Sequence, residues 1–471
     1  MKNKTIIIGG GISGMFSALF LLEKKKIKGE DILIIEKNSE VGGLLRKYDY
    51  GANGVFDYGM HNMLETGVEE IDRMQYSWLP DEDEWQILEG NNRDLCGSYY
   101  RGVLQKHTPY FDLRALPKEE YTECLLDFLS NMDHNDKSNT QVNNARDYAI
   151  ARFGKVVAEK TVIPSIEKIH KMKAKDLDPL ATFYTPMSRI TVFNEDLMHD
   201  ILSTEKLRDR LAFPEQRNLP LNKSTGKKGF YPRNYGIHKV IDSMRKRLEA
   251  KNVKFLLESQ IKSIDIQDDV IYSMCVEKNS EKSVVTDIRD VLWTAGLPVL
   301  GTLLGLDYSG LKFDEALNTI PVNILLDKKL EIDDLYYFYC YDNGLDTFRL
   351  TNYINYSSNA KRNGGYPICI ELLLEKNKTP DKETLEQKAI NELKRFNIMA
   401  PDTNILFVSA EILESGFPRP SVNNITSLDI IRKQIEDISI KNLHVTGILA
   451  EKNLFFQAHV LRDAHKKVSS F

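Results

Sequence analysis

In the run Thr5-Ile6-Ile7-Ile8-Gly9-Gly10-Gly11-Ile12-Ser13-Gly14, three glycines satisfy the spacing G-x-G-x-x-G, and an acid, Glu36, stands roughly twenty residues further on. Residues of these types at this spacing suit one task, holding the pyrophosphate of a dinucleotide. Gly9 makes a tight turn, Gly11 lets backbone approach the phosphates, and Gly14 lets a helix pack close to a strand, with Ile12 and Ser13 in the same phosphate-binding turn. Glu36 can accept hydrogen bonds from both ribose hydroxyls, and with no Arg directly after it a 2′-phosphate would be repelled.

The elements needed to position these residues are legible around them. Residues 5–8 form a short β-branched run, the mark of a strand buried on both faces of a parallel sheet. Residues 15–22 are strongly helical, and residues 31–35 give a second buried strand that ends at Glu36. A lone glycine motif would carry little weight; here strand, helix and acid all stand where the fingerprint needs them.

Composition sets the frame for this site. The chain has 471 residues, 42% of them hydrophobic and 28% charged, as in an ordinary globular protein with room for two or three domains. Lys and Arg total 63 against 68 Asp and Glu, a net charge of −5, so there is no global electrostatic case for nucleic acid or an anionic membrane. The five cysteines, Cys96, Cys124, Cys275, Cys340 and Cys369, show neither a C-x-x-C pair nor metal-ligand spacing and read as free, small buried residues in a reducing compartment. No run reaches the roughly 18 apolar residues of a membrane helix, and the apolar stretch within residues 1–22 is interrupted by the glycine cluster, so it reads as folded core and not as a signal peptide. The expectation is a soluble cytoplasmic protein without a transmembrane anchor, a metal or a nucleic-acid partner.

Beyond Glu36 come Lys37, Val41-Gly42-Gly43-Leu44-Leu45-Arg46 and Phe56-Asp57-Tyr58-Gly59-Met60-His61. With the glycine fingerprint, these segments resemble the flavin-dependent amine oxidase superfamily, which includes protoporphyrinogen oxidases, phytoene desaturases and UDP-galactopyranose mutases. The resemblance implies non-covalent FAD, with Lys37, Gly42, Gly43, Leu44 and Arg46 along its ribityl and pyrophosphate part and His61 near the isoalloxazine ring. The superfamily usually has Arg directly after the glycine doublet, where this chain has Leu44, with Arg46 two positions on.

Later segments extend the resemblance. Residues 144–160 read as one helix, and Ala151-Arg152-Phe153-Gly154-Lys155 with Ile163-Pro164-Ser165-Ile166-Glu167-Lys168-Ile169 resembles substrate-domain helices of the mutases. The turn Tyr231-Pro232-Arg233-Asn234-Tyr235-Gly236 precedes a helix and a strand leading to Ile261, which the resemblance places against the adenine. The strand 290–296 ends in Thr294 and Ala295, candidates for backbone contact with the pyrophosphate, and Gly447, before a helix expected over 453–467, would sit by the flavin. The superfamily's Arg after that last glycine is Ile448 here. Tyr337, Tyr339 and Tyr341 alternate along a strand that could stack a base or sugar, and Arg349 aligns with an arginine that reaches toward flavin and substrate phosphates.

The expected fold is α/β: a Rossmann-type FAD-binding domain built from residues 1–70, 229–305 and 420–471, interleaved with an α+β substrate domain, a mixed sheet plus a helical part, from 71–228 and 306–419. By analogy with the superfamily, the function expected first is an FAD-dependent oxidoreductase taking hydride from a small-molecule substrate, a sugar nucleotide or glycan precursor. The alternative is a mutase-like isomerase using reduced FAD as a nucleophile, with His61 and Arg349 as candidate catalytic residues in either case; a weaker alternative is a flavin-binding protein without catalysis. Oligomeric state is left open.

Overall fold

Five short strands, β1 (Lys4–Ile8), β2 (Ile32–Ile35), β3 (Lys254–Leu256), β4 (Ile288–Trp293) and β5 (Leu443–Val445), make an all-parallel sheet in the order β3-β2-β1-β4-β5. The chain order reverses on either side of β1, and in open α/β sheets the crevice beyond the strand ends at that reversal is where ligands bind. In this computed structural model the described residues are 4–134, 142–203, 205–220, 226–357 and 359–471, so the polar breaks expected at 133–140 and 218–229 fall partly outside them.

The strands are apolar on both faces because both are covered. Ile6 and Ile8 point into a buried cluster with Ile271, Met274 and Val276 of an antiparallel ribbon (Ser259–Gln267, Val270–Lys278, Glu281–Val285), which occupies the connection between β3 and β4. On the other face, Ile7 meets helix α1 (Ile12–Glu23) at Gly14. Helix α1 is buried from Ser13 through Leu21, packed against α2 (His238–Glu249) and α3 (Gln457–Val468). The last helix begins at Gln457 and not at 453, since residues 447–453 are taken up by turns and Phe456 stands extended as its N-cap.

The chain divides into two compact units: Met1–Leu88 with Lys227–Lys312 and Thr426–Phe471, and Glu89–Gly226 with Phe313–Ile425. The first segment runs on past residue 70 because the strand Trp85–Leu88 pairs antiparallel with Gly229–Pro232. In the second unit a mixed sheet runs in the order Ile405–Ala410, Leu317–Leu326, Tyr366–Leu374, Thr347–Asn352, Tyr337–Cys340, Cys96–Tyr100 and Val103–Gln105, with Leu413–Phe417 also paired to Leu317–Leu326. A helical part adds its own core around Phe128, Phe153, Val162 and Ile166.

The single helix expected over 144–160 is interrupted. It is Ala145–Phe153, then Gly154 at φ +93°, then a new turn Lys155–Val157 that widens into a π-helix at Ala158–Val162 and continues as Ile163–His170. The cause is a cap from outside the segment: Asp127 Oδ2 accepts from the N–H groups of Val156 (2.8 Å) and Val157 (3.3 Å). Among the described residues no helix is long and apolar enough to cross a membrane.

Candidate functional site

The loops at the carboxyl ends of β1 and β4 and the turn that follows β2 build a cradle from close backbone approaches. Gly9 has φ +105°, and a Cβ there would lie 2.4 Å from Thr294 Oγ1; at Gly14 a Cβ would lie 2.0 Å from the Gly9 carbonyl oxygen. Gly11 is the exception, since a Cβ there would meet no protein atom within 4 Å. The space a Gly11 side chain would enter is open, while the glycine doublet packs against the same turn: a Cβ on Gly43 would stand 3.4 Å from Gly11 Cα, and Gly42 N donates to Gly10 O at 2.7 Å.

Polar groups stand in and around this turn. Ser13, at the second position of α1, is buried, and its Oγ has no hydrogen-bond partner in the protein. Glu36, also buried, accepts from Gly10 N (2.7 Å) through one carboxylate oxygen and from Asn38 N (2.9 Å) and Nδ2 (2.6 Å) through the other, so its side chain is fixed at the end of β2. Thr294 ties β4 to β1, with N and Oγ1 both donating to Ile8 O (2.9 and 2.8 Å), and Gly447 backs against it, where a Cβ would come within 2.7 Å of Thr294 O. An open backbone gap at a helix N-terminus, an unpartnered buried hydroxyl and a fixed carboxylate fit a dinucleotide pyrophosphate and ribose.

The remaining candidates of the first unit occupy distinct places. Arg46 Nε donates to Gly43 O (2.9 Å) and its guanidinium lies 4.7 Å above the Tyr58 ring, which stacks on Tyr48 at 4.0 Å, so this arginine braces the doublet turn. Lys37 and Leu44 are exposed, while Ile12 and Ala295 are half-buried. Asp57 is fully buried, and its carboxylate accepts from Tyr231 Oη (2.5 Å) and Ile237 N (3.0 Å), anchoring the turn that carries Gly59 at φ +90° and the half-buried His61. Glu258 N and Ser259 N donate to the Asn38 and Glu36 carbonyls (both 3.0 Å), whereas Ile261 lies two residues further along, paired with Val276. Among the described residues no three His, Cys, Asp or Glu are grouped to hold a metal ion.

Arg349 belongs to the second unit. Register places Ser98, Tyr339, Arg349 and Glu371 in one row across four strands, beside a row of Cys96, Tyr337, Thr351, Cys369 and Asn323. By the two-residue period of strands these point to one face, while Phe338, Leu350, Ile370 and Val322, all fully buried, fill the other. Arg349 donates to Glu371 through Nε (2.5 Å) and Nη2 (2.9 Å). Burial alone would weaken the guanidinium's hold on its proton, but the Glu371 charge more than offsets it and keeps Arg349 charged. The Tyr339 hydroxyl is pushed up to about 12 by burial.

A buried histidine in the same unit makes stability depend on pH. Burial holds the His170 imidazole at about 4, against an ordinary 6.5; a hydrogen bond with the Ala181 backbone opposes that shift and Arg419 adds to it, while Nδ1 has no partner. Below about pH 6.5 the unfolded chain binds a proton there that the folded chain refuses, so stability falls as pH drops from about 6.5 to about 4 and levels off below, a change of about 3 kcal/mol in all. His170→Phe is expected to flatten that part of the curve, read as the difference in urea midpoints at pH 7 and about pH 4.5. An unchanged difference would show that His170 does not carry it.

Residues 7–74 match the NAD(P)-binding Rossmann-like domain family. Over 66 residues the chain is 44% identical to "Uncharacterized protein in nifH2 3'region" of Methanothermococcus thermolithotrophicus, a match spanning 14% of this chain and 59% of that protein, less than two thirds of its length. Over nearly its whole length the chain superposes on solved structures. Reduced UDP-galactopyranose mutase gives a TM-score of 0.77 at 17% identity over 99% of this chain and 95% of that one. An Exiguobacterium sp. 255-15 protein named "Putative protoporphyrinogen oxidase" gives 0.67 at 15% (100% and 98%), and cyclohexylamine oxidase from Brevibacterium oxydans IH-35A gives 0.61 at 12% (100% and 98%). The chain has the flavin amine-oxidase fold.

Within this fold, three residues hold candidates in pairings that the sequence did not reveal. Tyr231 and Ile237, which hold Asp57, stand more than 170 residues from it in sequence. Glu371 left a signal that could have been used: it is the lone charge in the apolar strand Tyr366–Leu374, and an acid in such a setting needs a buried partner.

Proposed function

We propose that the protein is an enzyme that binds FAD non-covalently in the glycine cradle and acts as an oxidoreductase. The observation that carries this reading is the open space that a Gly11 side chain would enter at the N-terminus of α1, with the buried, unpartnered Ser13 hydroxyl in the same turn. In this reading Gly9, Gly11, Ile12, Ser13 and Gly14 hold the pyrophosphate, Glu36 the ribose, and Lys37, Gly42, Gly43, Leu44 and Arg46 the ribityl side. Thr294, Ala295 and Gly447 close the cradle, the backbone near Ile261 borders the adenine, and His61 with Gly59 approaches the ring. When bound, the flavin supplies hydride acceptance. The protein's part is to orient the substrate and exclude water, and the polar sheet face bearing Tyr337, Tyr339 and Arg349 is suited to holding it.

The charge on Arg349 is already balanced by Glu371, which favours a hydroxylated or carbonyl-bearing substrate over a nucleoside diphosphate. For that reason the oxidoreductase reading stands ahead of a mutase acting on a nucleotide sugar. The test is anaerobic. The purified yellow protein is offered amines, glycan precursors and, after reduction, UDP-galactose and UDP-galactofuranose. Bleaching of the oxidised protein by a substrate, or peroxide formation in air, is the expected result. Interconversion of the nucleotide sugars without net flavin oxidation would overturn the reading in favour of the isomerase.

A further inference from the structure

Helices α1, α2 and α3 run antiparallel to the strands of the parallel sheet, so all three end at its amino edge, across the sheet from the cradle. Side chains tie these ends together. Arg247 of α2 pairs with Glu23 of α1, Lys25 Nζ donates to Ser469 O just past α3 (2.7 Å), and Glu70 lies between Lys24 (3.7 Å) and His465 Nε2 (3.0 Å). The chain after α2 packs so closely on the chain after α1 that a Cβ on Gly29 would lie 1.8 Å from Lys251 O. Lys254, the first residue of β3, joins the same edge.

This end is basic in a chain that is acidic as a whole. Segments 23–31, 245–254 and 465–468 hold eleven Lys and Arg against four Asp and Glu, and Glu70 reaches in as a fifth acid, an excess of six positive charges. Since the whole chain carries −5, the remaining residues carry −11. Some basic residues are expected at helix ends, because each C-terminus bears about half a negative charge, but three ends answer for about 1.5 charges, a quarter of the excess. Four of the five acids are already taken: Glu23 by Arg247, Glu30 by Lys28, Glu70 by Lys24 and His465, and Glu249 by Arg245. Lys26, Lys246, Lys251, Lys254 and Lys466 are exposed, and none of them pairs with an acid among the described residues.

We propose that this end of the first unit docks on the surface of a membrane rich in anionic phospholipids. Nucleic acid is the other extended polyanion such a charge could meet, and two features count against it. Nine of the eleven cations are lysines, and the two arginines, Arg245 and Arg247, are committed to Glu249 and Glu23, so no free guanidinium remains to grip a phosphate or a base edge. No Phe, Tyr or Trp stands in the three segments to stack on a base. A lipid surface asks for neither: its diffuse negative potential attracts clustered lysines within about a Debye length, about 8–10 Å. The charge asymmetry also orients the molecule, since that surface attracts this end and repels the acidic remainder. Docking here turns the carboxyl ends of the strands, and the cradle with them, away from the lipid, so the proposal does not rest on the flavin reading.

The purified full chain is sedimented with vesicles of phosphatidylcholine containing about 30% phosphatidylserine, and with phosphatidylcholine alone, at about 50 mM and about 500 mM NaCl. Binding to the serine-containing vesicles at low salt is expected, with none to phosphatidylcholine and loss at high salt. Each surface lysine is worth about fivefold in affinity, so Lys26→Gln/Lys251→Gln/Lys466→Gln is expected to bind at least about thirtyfold more weakly. The control Lys329→Gln/Lys376→Gln/Lys394→Gln removes the same charge from exposed positions of the second unit and is expected to bind as the parent does. If the first triple variant melts early, Lys26→Gln alone is read, with about a fivefold loss expected. Equal weakening in both triple variants would trace binding to net charge and overturn the proposal. So would equal binding by parent and Lys26 variants, absence of binding at low salt, or equal binding to phosphatidylcholine alone. Tighter binding of poly(U) RNA that is lost in the same variants would overturn it in favour of nucleic acid.

Discussion

Replacing Gly11 by valine is expected to give a folded protein that carries no flavin. Gly11 has φ −72° and ψ −178°, extended backbone open to any residue, and a side chain there would meet no protein atom within 4 Å. Three added carbons would occupy the open space at the N-terminus of α1 and collide with a pyrophosphate held there, costing binding about 3 kcal/mol or more, two orders of magnitude in affinity. The check is the visible flavin absorbance of the purified variant alongside its far-ultraviolet circular dichroism. Gly14→Ala is the contrasting control, since a Cβ 2.0 Å from the Gly9 carbonyl forces helix α1 off β1 and damages the fold itself. A Gly11→Val protein as yellow as the parent would show that the cradle does not hold the cofactor.

The second large effect belongs to Glu371. Glu371→Gln removes the charge that balances Arg349 inside the sheet, and breaking a buried pair on one side typically costs about 3–5 kcal/mol. Denaturant unfolding of the variant measures it. The double variant Arg349→Met/Glu371→Leu, which removes both charges, is expected to recover much of that loss, because a buried pair contributes little net stability beyond satisfying itself. A single-variant cost below about 1 kcal/mol would place the pair with solvent-screened surface bridges and undo the argument against a diphosphate substrate.

How much of this was legible depends on how far apart in sequence the partners are. The run from Thr5 to Glu36 reads correctly because strand, turn, helix and second strand are neighbours in the chain, each with its own local pattern. The strand ending before Gly447 was visible for the same reason. The break at Gly154 was not, because the group that starts the next helix turn there, Asp127, lies on another helix, and only the fold brings its carboxylate to Val156 N. Arg349 was found by resemblance, but its meaning changed once Glu371 appeared opposite it: a free phosphate clamp and a self-neutralised pair look identical in a single strand. The four-residue error at the start of α3 has a plainer origin, since 453–456 carries helix-compatible residues and the N-cap, Phe456, has no capping side chain to announce it.

The sheet order β3-β2-β1-β4-β5 carries a consequence for how the protein is made. The first strand to leave the ribosome is the central one, and one of its neighbours, β4, arrives only after the first segment of the second unit has been synthesised. The wall that Gly447 gives the cradle arrives later still, with β5. A nascent chain therefore exposes the apolar flank of β1 until β4 has been made, and the cradle is complete only once β5 has joined the sheet. For the same reason the first unit cannot be lifted out as one contiguous stretch: isolating it means splicing Leu88 to Lys227 and Lys312 to Thr426 with designed turns.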